Sequence, residues 1–162
     1  MRTTRLAVRS ALASILAIFA ASVLAQMPSY GTSINLEQAK KVLAAAEAES
    51  RKNGWPMAIA IVDTSGNLVA YEKMDDTQTA SVMVAQDKAR SAAIYRRPAK
   101  VMQDAVAGGG AGIRFLNLRD ASVVEGGLPI SVGGKIIGAI GVSGAASNED
   151  GVVAKAGTDA LK

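Results

Sequence analysis

The stretch GGLPISVGGKIIGAIGVSG, Gly126–Gly144, holds seven glycines among its nineteen residues and has the form of a β-hairpin. Leu128–Val132 and Lys135–Ser143 are apolar runs of strand length. Gly133-Gly134 lies between them, and a primed two-residue turn needs positive φ at both central positions, which glycine adopts readily. The stretch therefore predicts two antiparallel strands joined by a Gly-Gly turn.

The same glycines do not fit the phosphate-binding motifs. A dinucleotide fingerprint needs G-x-G-x-x-G at a strand-to-helix turn, whereas Gly138, Gly141 and Gly144 are spaced three apart. A P-loop needs Ser or Thr after Gly-Lys, but Ile136 follows Lys135. We expect instead that the first two glycines let a helix or a second subunit pack close to the strand. The third lets the chain turn into the last helix.

The absence of histidine limits the chemistry more than any motif. It excludes a Ser-His-Asp triad, a histidine general base, a His-ligated zinc site and haem held by a proximal histidine. The segment GVSGA around Ser143 resembles a nucleophile elbow but ends in Ala145. Only a Ser-Lys pair would remain to activate this serine. The chain also has no cysteine, so it folds without disulfides.

Upstream of this hairpin, the sequence predicts a first helix and a first hairpin. The helix is capped by Ser33 or Asn35 and ends at Asn53-Gly54. Met57–Asp63 and Leu68–Met74 are strand-like runs on either side of the tight turn TSGN.

Further helices lie between and after the two hairpins. One begins near Thr79, a second starts at Pro98 and is broken by GGGAG at 108–112, and the last is capped by Ser147 or Asn148. We predict an α+β fold with a single antiparallel sheet built from two hairpins, helices packed against it, and a profilin-like layered arrangement.

The N-terminal residues have the composition of a secretory signal. Three arginines precede the uncharged apolar run ALASILAIFAASVLA, and small residues flank the cleavage position before Gln26. We predict a signal peptide at 1–25, a flexible leader at 26–33 and the folded domain at 34–162, with a periplasmic or secreted location. The alternative is an uncleaved anchor, although the run is shorter than the roughly 20 residues that span a bilayer.

Removing the signal nearly neutralises the chain. The full sequence has 18 Lys and Arg against 14 Asp and Glu, and three of the arginines belong to the signal, which leaves 15 against 14. This balance predicts no nucleic-acid partner. After cleavage we also expect no membrane partner.

The hairpin stretch, together with the downstream NEDGVVAKAG, resembles the hallmark of the GlcG and HbpS family, the haem-degrading domain family. The upstream segments IAIVDTSGNLVAYEKMD and DKARSA resemble that family's first hairpin and its long helix. The resemblance covers roughly residues 34–162. It implies a compact α+β domain that assembles into homo-oligomers, from dimers up to octamers. It also implies an exported protein that binds haem or a related small molecule, with haem degradation in some members.

A haem role would need unusual ligands in this chain. Without histidine or cysteine, the iron ligand would be Met, Tyr, Lys or a hydroxyl such as that of Thr, and Met74 is one candidate. Tyr71, Met83, Tyr95 and Met102 are others. The haem propionates would pair with cations, for which the candidates are Lys88, Arg90 and Arg114. Each of these side chains also has an ordinary interpretation as core packing or a surface charge.

Glu125 is the acid beside the glycine cluster and the one candidate catalytic residue. It would accept a proton from a bound ligand, or form a structural ion pair with Arg114 or Arg119. The first role suits a metal-independent lyase or isomerase acting on a small organic molecule at a subunit interface. A structural oligomer without a ligand is the third alternative. Asp75-Asp76 would hold a hard cation only together with further oxygen ligands that the sequence does not identify, and no metal is predicted.

Overall fold

The computed structural model describes residues 27–162, which form one four-stranded antiparallel sheet with helices on both faces. The predicted signal peptide, residues 1–25, lies outside the described residues. In chain order the elements are α1 Leu36–Asn53, β1 Ala58–Asp63, β2 Leu68–Lys73, α2 Ser81–Ile94, α3 Ala99–Ala107, a 3-10 helix Gly110–Asn117, β3 Gly127–Val132, β4 Lys135–Ser143 and α4 Ser147–Asp159.

The two predicted hairpins are both present and share one sheet. The strand order is β2-β1-β4-β3, so the first hairpin joins the second through antiparallel pairing of β1 with β4. Gly133 and Gly134 have φ of 57° and 74°, as the predicted turn requires. The α+β architecture expected from the sequence is therefore confirmed.

Side chains alternate between two cores along the central strands. Ile59 and Ile61 of β1 point to the face covered by α1 and α4, where Val42 and Val153 are fully buried. The alanines of β1 point the other way and meet the small-residue face of α2; this second core contains Ala58, Ala60, Ala85, Ala89, Ala92, Ala93 and Ala139.

Two glycines of β4 and its exit permit close backbone approach. A Cβ on Gly141 would lie 2.0 Å from the carbonyl oxygen of Ala85 and 2.4 Å from the nitrogen of Ala89. The expectation that a helix packs close to this strand is thus confirmed at Gly141, and the helix is α2. It is wrong for Gly138, where a Cβ would lie 2.3 Å from the Val62 carbonyl oxygen of β1. A Cβ on Gly144 would lie 2.2 Å from the carbonyl oxygen of Pro56. Gly144 lies in the bend that leads into α4, as expected, and it also permits this close approach.

The helix ends differ from the predictions in part. Asn35 caps α1, with its side chain accepting from the Gln38 nitrogen at 2.8 Å and the Gln38 side chain accepting in return. The cap predicted at Ser147 or Asn148 is wrong, because both residues lie inside α4. Glu149 instead accepts from the backbone nitrogen of Ala146. The 3-10 helix, which the sequence did not predict, begins at Gly110 inside the GGGAG break.

The leader predicted to be flexible makes specific contacts over residues 29–31. Tyr30 pairs in parallel with Ile136 of β4, and its hydroxyl donates to the carbonyl of Ala93 at 2.8 Å. The guanidinium of Arg96 lies 5.5 Å from the centre of the tyrosine ring. The expectation of an unattached leader does not hold here, since backbone pairing and an aromatic anchor tie this segment to the domain.

Candidate functional site: the cleft at Arg90

The structure distributes the five predicted site residues over separate parts of the surface and core. Met74 lies after β2 in a cleft of about 300 Å³ that Trp55 and Arg51 also line. Its sulfur accepts a hydrogen bond from the Ser50 hydroxyl at 3.3 Å. The thioether is therefore partly engaged inside the fold, and its role as a ligand stays a prediction.

Lys88 lies in the protein interior, where its charge is paired. Its ammonium donates to Asp150 Oδ2 at 2.6 Å and to the carbonyl of Val142 at 3.1 Å. The two side chains are only 1% and 3% exposed. Burial raises the pKa of Asp150 above its usual value, while the hydrogen bond and the charge of Lys88 oppose that rise. In this arrangement Lys88 joins α2 to α4 and does not reach a surface ligand.

The first two glycines of the opening stretch make room for this ion pair. A Cβ on Gly126 would lie 2.8 Å from Asp150 Cβ and 2.9 Å from Lys88 Nζ. A Cβ on Gly127 would lie 2.4 Å from the Lys88 carbonyl oxygen. Sequence reasoning missed Asp150 as a partner. The available signal was the position of Lys88 among the alanines of α2, because a lysine on an apolar helix face needs a counter-charge.

Glu125 lies at the edge of the same region. Its backbone nitrogen donates to Gln103 Oε1 at 2.7 Å, and its carboxylate is 4.0 Å from the ammonium of Lys100. The predicted pairing with Arg114 or Arg119 is therefore wrong, and Lys100 takes that place. A catalytic role for Glu125 stays a prediction.

Arg114 lies on the 3-10 helix, exposed to solvent. Its guanidinium is 5.9 Å from the ring centre of the adjacent Phe115. Its predicted contact with a ligand carboxylate stays a prediction.

Arg90 is the predicted cation that the structure places in a ligand-sized cleft. The cleft has a volume of about 360 Å³, within the range of small-molecule sites. A second cleft of about 200 Å³ lies on the other side of Arg90, towards the β1–β2 turn. The larger cleft is lined by Val84, Asp87, Arg90, Asp120, Ala121, Ser122 and Val124.

The side chains around this cleft combine apolar walls with one cation, Arg90, and two carboxylates, Asp87 and Asp120. Val84 of α2 and Val124 of the segment before β3 supply the apolar surface. Arg90 donates weakly to the Gly66 carbonyl at 3.4 Å and approaches Asp120 Oδ2 at 3.5 Å. Met83, one residue before Val84, is 68% exposed. Such a cleft suits the edge of a flat apolar ligand that carries a carboxylate.

Comparison with known proteins places the chain in a family. Residues 34–159 match the family model described as haem degrading protein HbpS-like. The chain belongs to the HbpS-like family. The resemblance found in the hairpin stretch is thereby confirmed. The matched residues include the four strands of the described sheet and every residue that lines the larger cleft at Arg90.

Relatives of this HbpS-like chain are similar over most of their length. Protein GlcG of Escherichia coli K12 is 38% identical over 110 residues, covering 68% of this chain and 81% of GlcG. A double mutant of HbpS from Streptomyces reticuli superposes with a TM-score of 0.75 at 27% identity, covering 83% and 90%. A crystal structure titled as a PduOC–haem complex shares the fold, with a TM-score of 0.73 at 22% identity, covering 81% and 96%.

Two further properties concern only residues 27–162. No helix of this part is long and apolar enough to cross a membrane. Within the same range, no group of three or more Asp and Glu side chains is arranged to hold a metal ion.

Proposed function

We propose that this protein binds haem or a related tetrapyrrole, with one edge of the macrocycle held in the cleft at Arg90. The observation that carries the proposal is the cation between apolar walls in a chain of the HbpS-like family, whose description names haem. The PduOC–haem complex supports haem as a ligand of this fold only. The cleft is too small to enclose a whole tetrapyrrole, so most of the macrocycle would remain at the surface.

The residues present fit the needs of haem in three respects. Arg90 would pair with a propionate, and its planar guanidinium suits a carboxylate. Val84 and Val124 would contact the ring. Met83 precedes Val84 in α2 and is 68% exposed, and it is our proposed contact to the iron, because methionine is an established haem ligand in proteins. When bound, haem would supply iron redox chemistry, and this chain's residues would position it.

A haemin titration of the mature protein tests this proposal. We expect a saturable Soret band, and a roughly tenfold weaker affinity in Arg90→Gln, because a charge-assisted hydrogen bond contributes about 1.5 kcal/mol. Arg114→Gln is the matched control, since it removes an exposed arginine from another surface. Absence of a saturable band in the wild type would contradict haem binding. A loss of haemin affinity confined to Arg114→Gln would indicate that the binding site lies at the 3-10 helix.

Degradation of haem is the finer form of the proposal. A Soret band that decays with time in the presence of a reductant, only when the protein is present, would extend the function from binding to turnover. Catalysis involving Glu125 predicts that Glu125→Gln slows this decay without weakening haemin binding. Equal decay rates for the two proteins would leave Glu125 with a structural role.

We further propose that the protein is exported and acts as a homo-oligomer. The basic and apolar composition of residues 1–25 supports export to the periplasm or beyond. Apolar side chains on the surface support association, with Ile113 and Leu116 of the 3-10 helix 52% and 57% exposed. Mass spectrometry should find a mature N-terminus at Gln26, and light scattering should give a mass of at least two subunits.

A further inference from the structure

The ionic partner that Arg90 already has is held loosely. Arg90 Nη2 and Asp120 Oδ2 are 3.5 Å apart, beyond the usual length of a charge-assisted hydrogen bond. The two side chains are 42% and 37% exposed, and ion pairs of this kind contribute little to stability. The second contact of Arg90, to the Gly66 carbonyl at 3.4 Å, is similarly weak. The carboxylate of a ligand can therefore replace Asp120 at Arg90 with little loss of stabilising free energy.

The turn that carries Asp120 has a defined geometry. Asp120 has φ of 59°, a left-handed conformation that few non-glycine residues adopt. The flanking backbone is fixed from two sides, since Tyr95 donates its hydroxyl to the Arg119 carbonyl at 2.6 Å and the Ala121 nitrogen donates to Leu118. These contacts fix the backbone of the turn, and Asp120 lines the cleft beside Arg90.

We propose that the Asp120 carboxylate pairs with Arg90 only in the free protein. A ligand that carries a carboxylate displaces Asp120 and takes its place at Arg90. This inference rests on the proposed function and identifies the residue that sets ligand selectivity there. The exchange conserves charge: Arg90 has one carboxylate neighbour before binding and one after it. A neutral ligand would leave the Arg90–Asp120 pair in place and gain nothing from the cation.

Selectivity follows from this competition. A ligand with free propionates gains a bidentate contact with Arg90, whereas its ester counterpart cannot form that contact. The wild-type affinity for the acid is reduced by the fraction of molecules in which Asp120 covers Arg90. Removing the Asp120 charge should therefore tighten binding of the acid and leave binding of the ester unchanged.

The experiment compares haemin with haemin dimethyl ester in the full mature protein. In Asp120→Asn, we expect haemin to bind about fivefold more tightly than in the wild type and the ester to bind as before. Asp87→Asn is the matched control. It removes one negative charge from the same cleft but not the ion pair with Arg90, so its haemin affinity should change less than twofold. Unchanged or weaker haemin binding in Asp120→Asn would overturn the inference.

Two other results would also overturn it. Equal tightening in Asp87→Asn would show a general charge effect, and equal tightening for the ester would show that the carboxylate is irrelevant. If the wild type binds no haemin, the proposed function fails, and glutarate decides the inference alone. The Nε–Hε NMR signal of Arg90 should then shift at lower glutarate concentration in Asp120→Asn than in the wild type. Equal concentrations, or no shift in either protein, would overturn it.

Discussion

At the scale of single residues, the interior is organised around one buried ion pair. Lys88 and Asp150 are both almost wholly inaccessible and 2.6 Å apart. Desolvating two charges is costly, so a pair of this kind is stable only while both partners are present. Asp150 also accepts from the backbone nitrogen of Ala145 at 3.2 Å. The carboxylate thus fixes the entry to α4 as well as neutralising the lysine.

Removal of Lys88 should therefore destabilise the fold through the unpaired Asp150 carboxylate. We expect Lys88→Met to lower the free energy of unfolding by about 3–5 kcal/mol, because it leaves the Asp150 carboxylate buried without a partner. Adding Asp150→Asn should restore part of the loss, since a neutral amide can still accept from Ala145. Urea unfolding measures both effects. Lys155→Met, which breaks the exposed pair with Asp159, should cost less than about 1 kcal/mol. Comparable losses in the two lysine variants would contradict this view.

Asp63 should give the first hairpin a pH-dependent stability. Burial works against the charged form, but hydrogen bonds from the backbone nitrogens of Asn67 and Ser65 outweigh it and hold the pKa of Asp63 below its usual 3.8. A lowered folded-state pKa stabilises the fold above the unfolded-state value, and this contribution is lost as pH falls through the lowered pKa.

The measurement is thermal or urea unfolding of the wild type and Asp63→Ala across pH. At pH 7 the variant should be less stable by about 1.5 kcal/mol, the scale of a hydrogen bond to a charged group. The difference should shrink below about pH 4, where the unfolded-state carboxyl becomes protonated. A difference that stays constant down to pH 2 would show that the charge of Asp63 is irrelevant.

At the scale of elements, α2 lies unusually close to β4 because the facing residues are small. Gly141 has no side chain, and the helix presents alanines to it. Gly141→Ala would force α2 away from the sheet, so we expect a loss of about 3 kcal/mol or more in the free energy of unfolding. Gly108→Ala is the matched control, since its Cβ would meet only ordinary contacts at 3.5 Å. A loss below 1 kcal/mol for Gly141→Ala would show that the helix moves freely.

The elements that were predicted correctly are those with local signals. The two hairpins follow from turn chemistry over a few residues, as at Gly133-Gly134, and α1 follows from its cap at Asn35 and its glycine stop at Gly54. The 3-10 helix Gly110–Asn117 was missed because it begins at two glycines with positive φ, which indicate a break and not a helix. Its shape depends on packing against α3.

At the scale of the whole molecule, the topology decides which polar residues meet. Pairing of β1 with β4 places the turn containing Gly66 beside α2, and the segment before β3 closes the cleft from the other side. Arg90, on α2, lies between the turn and this segment. Met74, Arg114 and Glu125 do not line this cleft, so a ligand held there by one subunit does not contact all the residues that the sequence suggested.

The sequence by itself determined the family, the two hairpins and the α+β class, because turn, cap and strand signals act over a few neighbouring residues. Only the tertiary structure decided that Lys88 meets Asp150, 62 residues away, and that Arg90 meets Asp120, 30 residues away. Such partners depend on the register of the sheet and on the angle at which α2 crosses it. No local signal encodes either quantity, since both arise from packing of the complete chain.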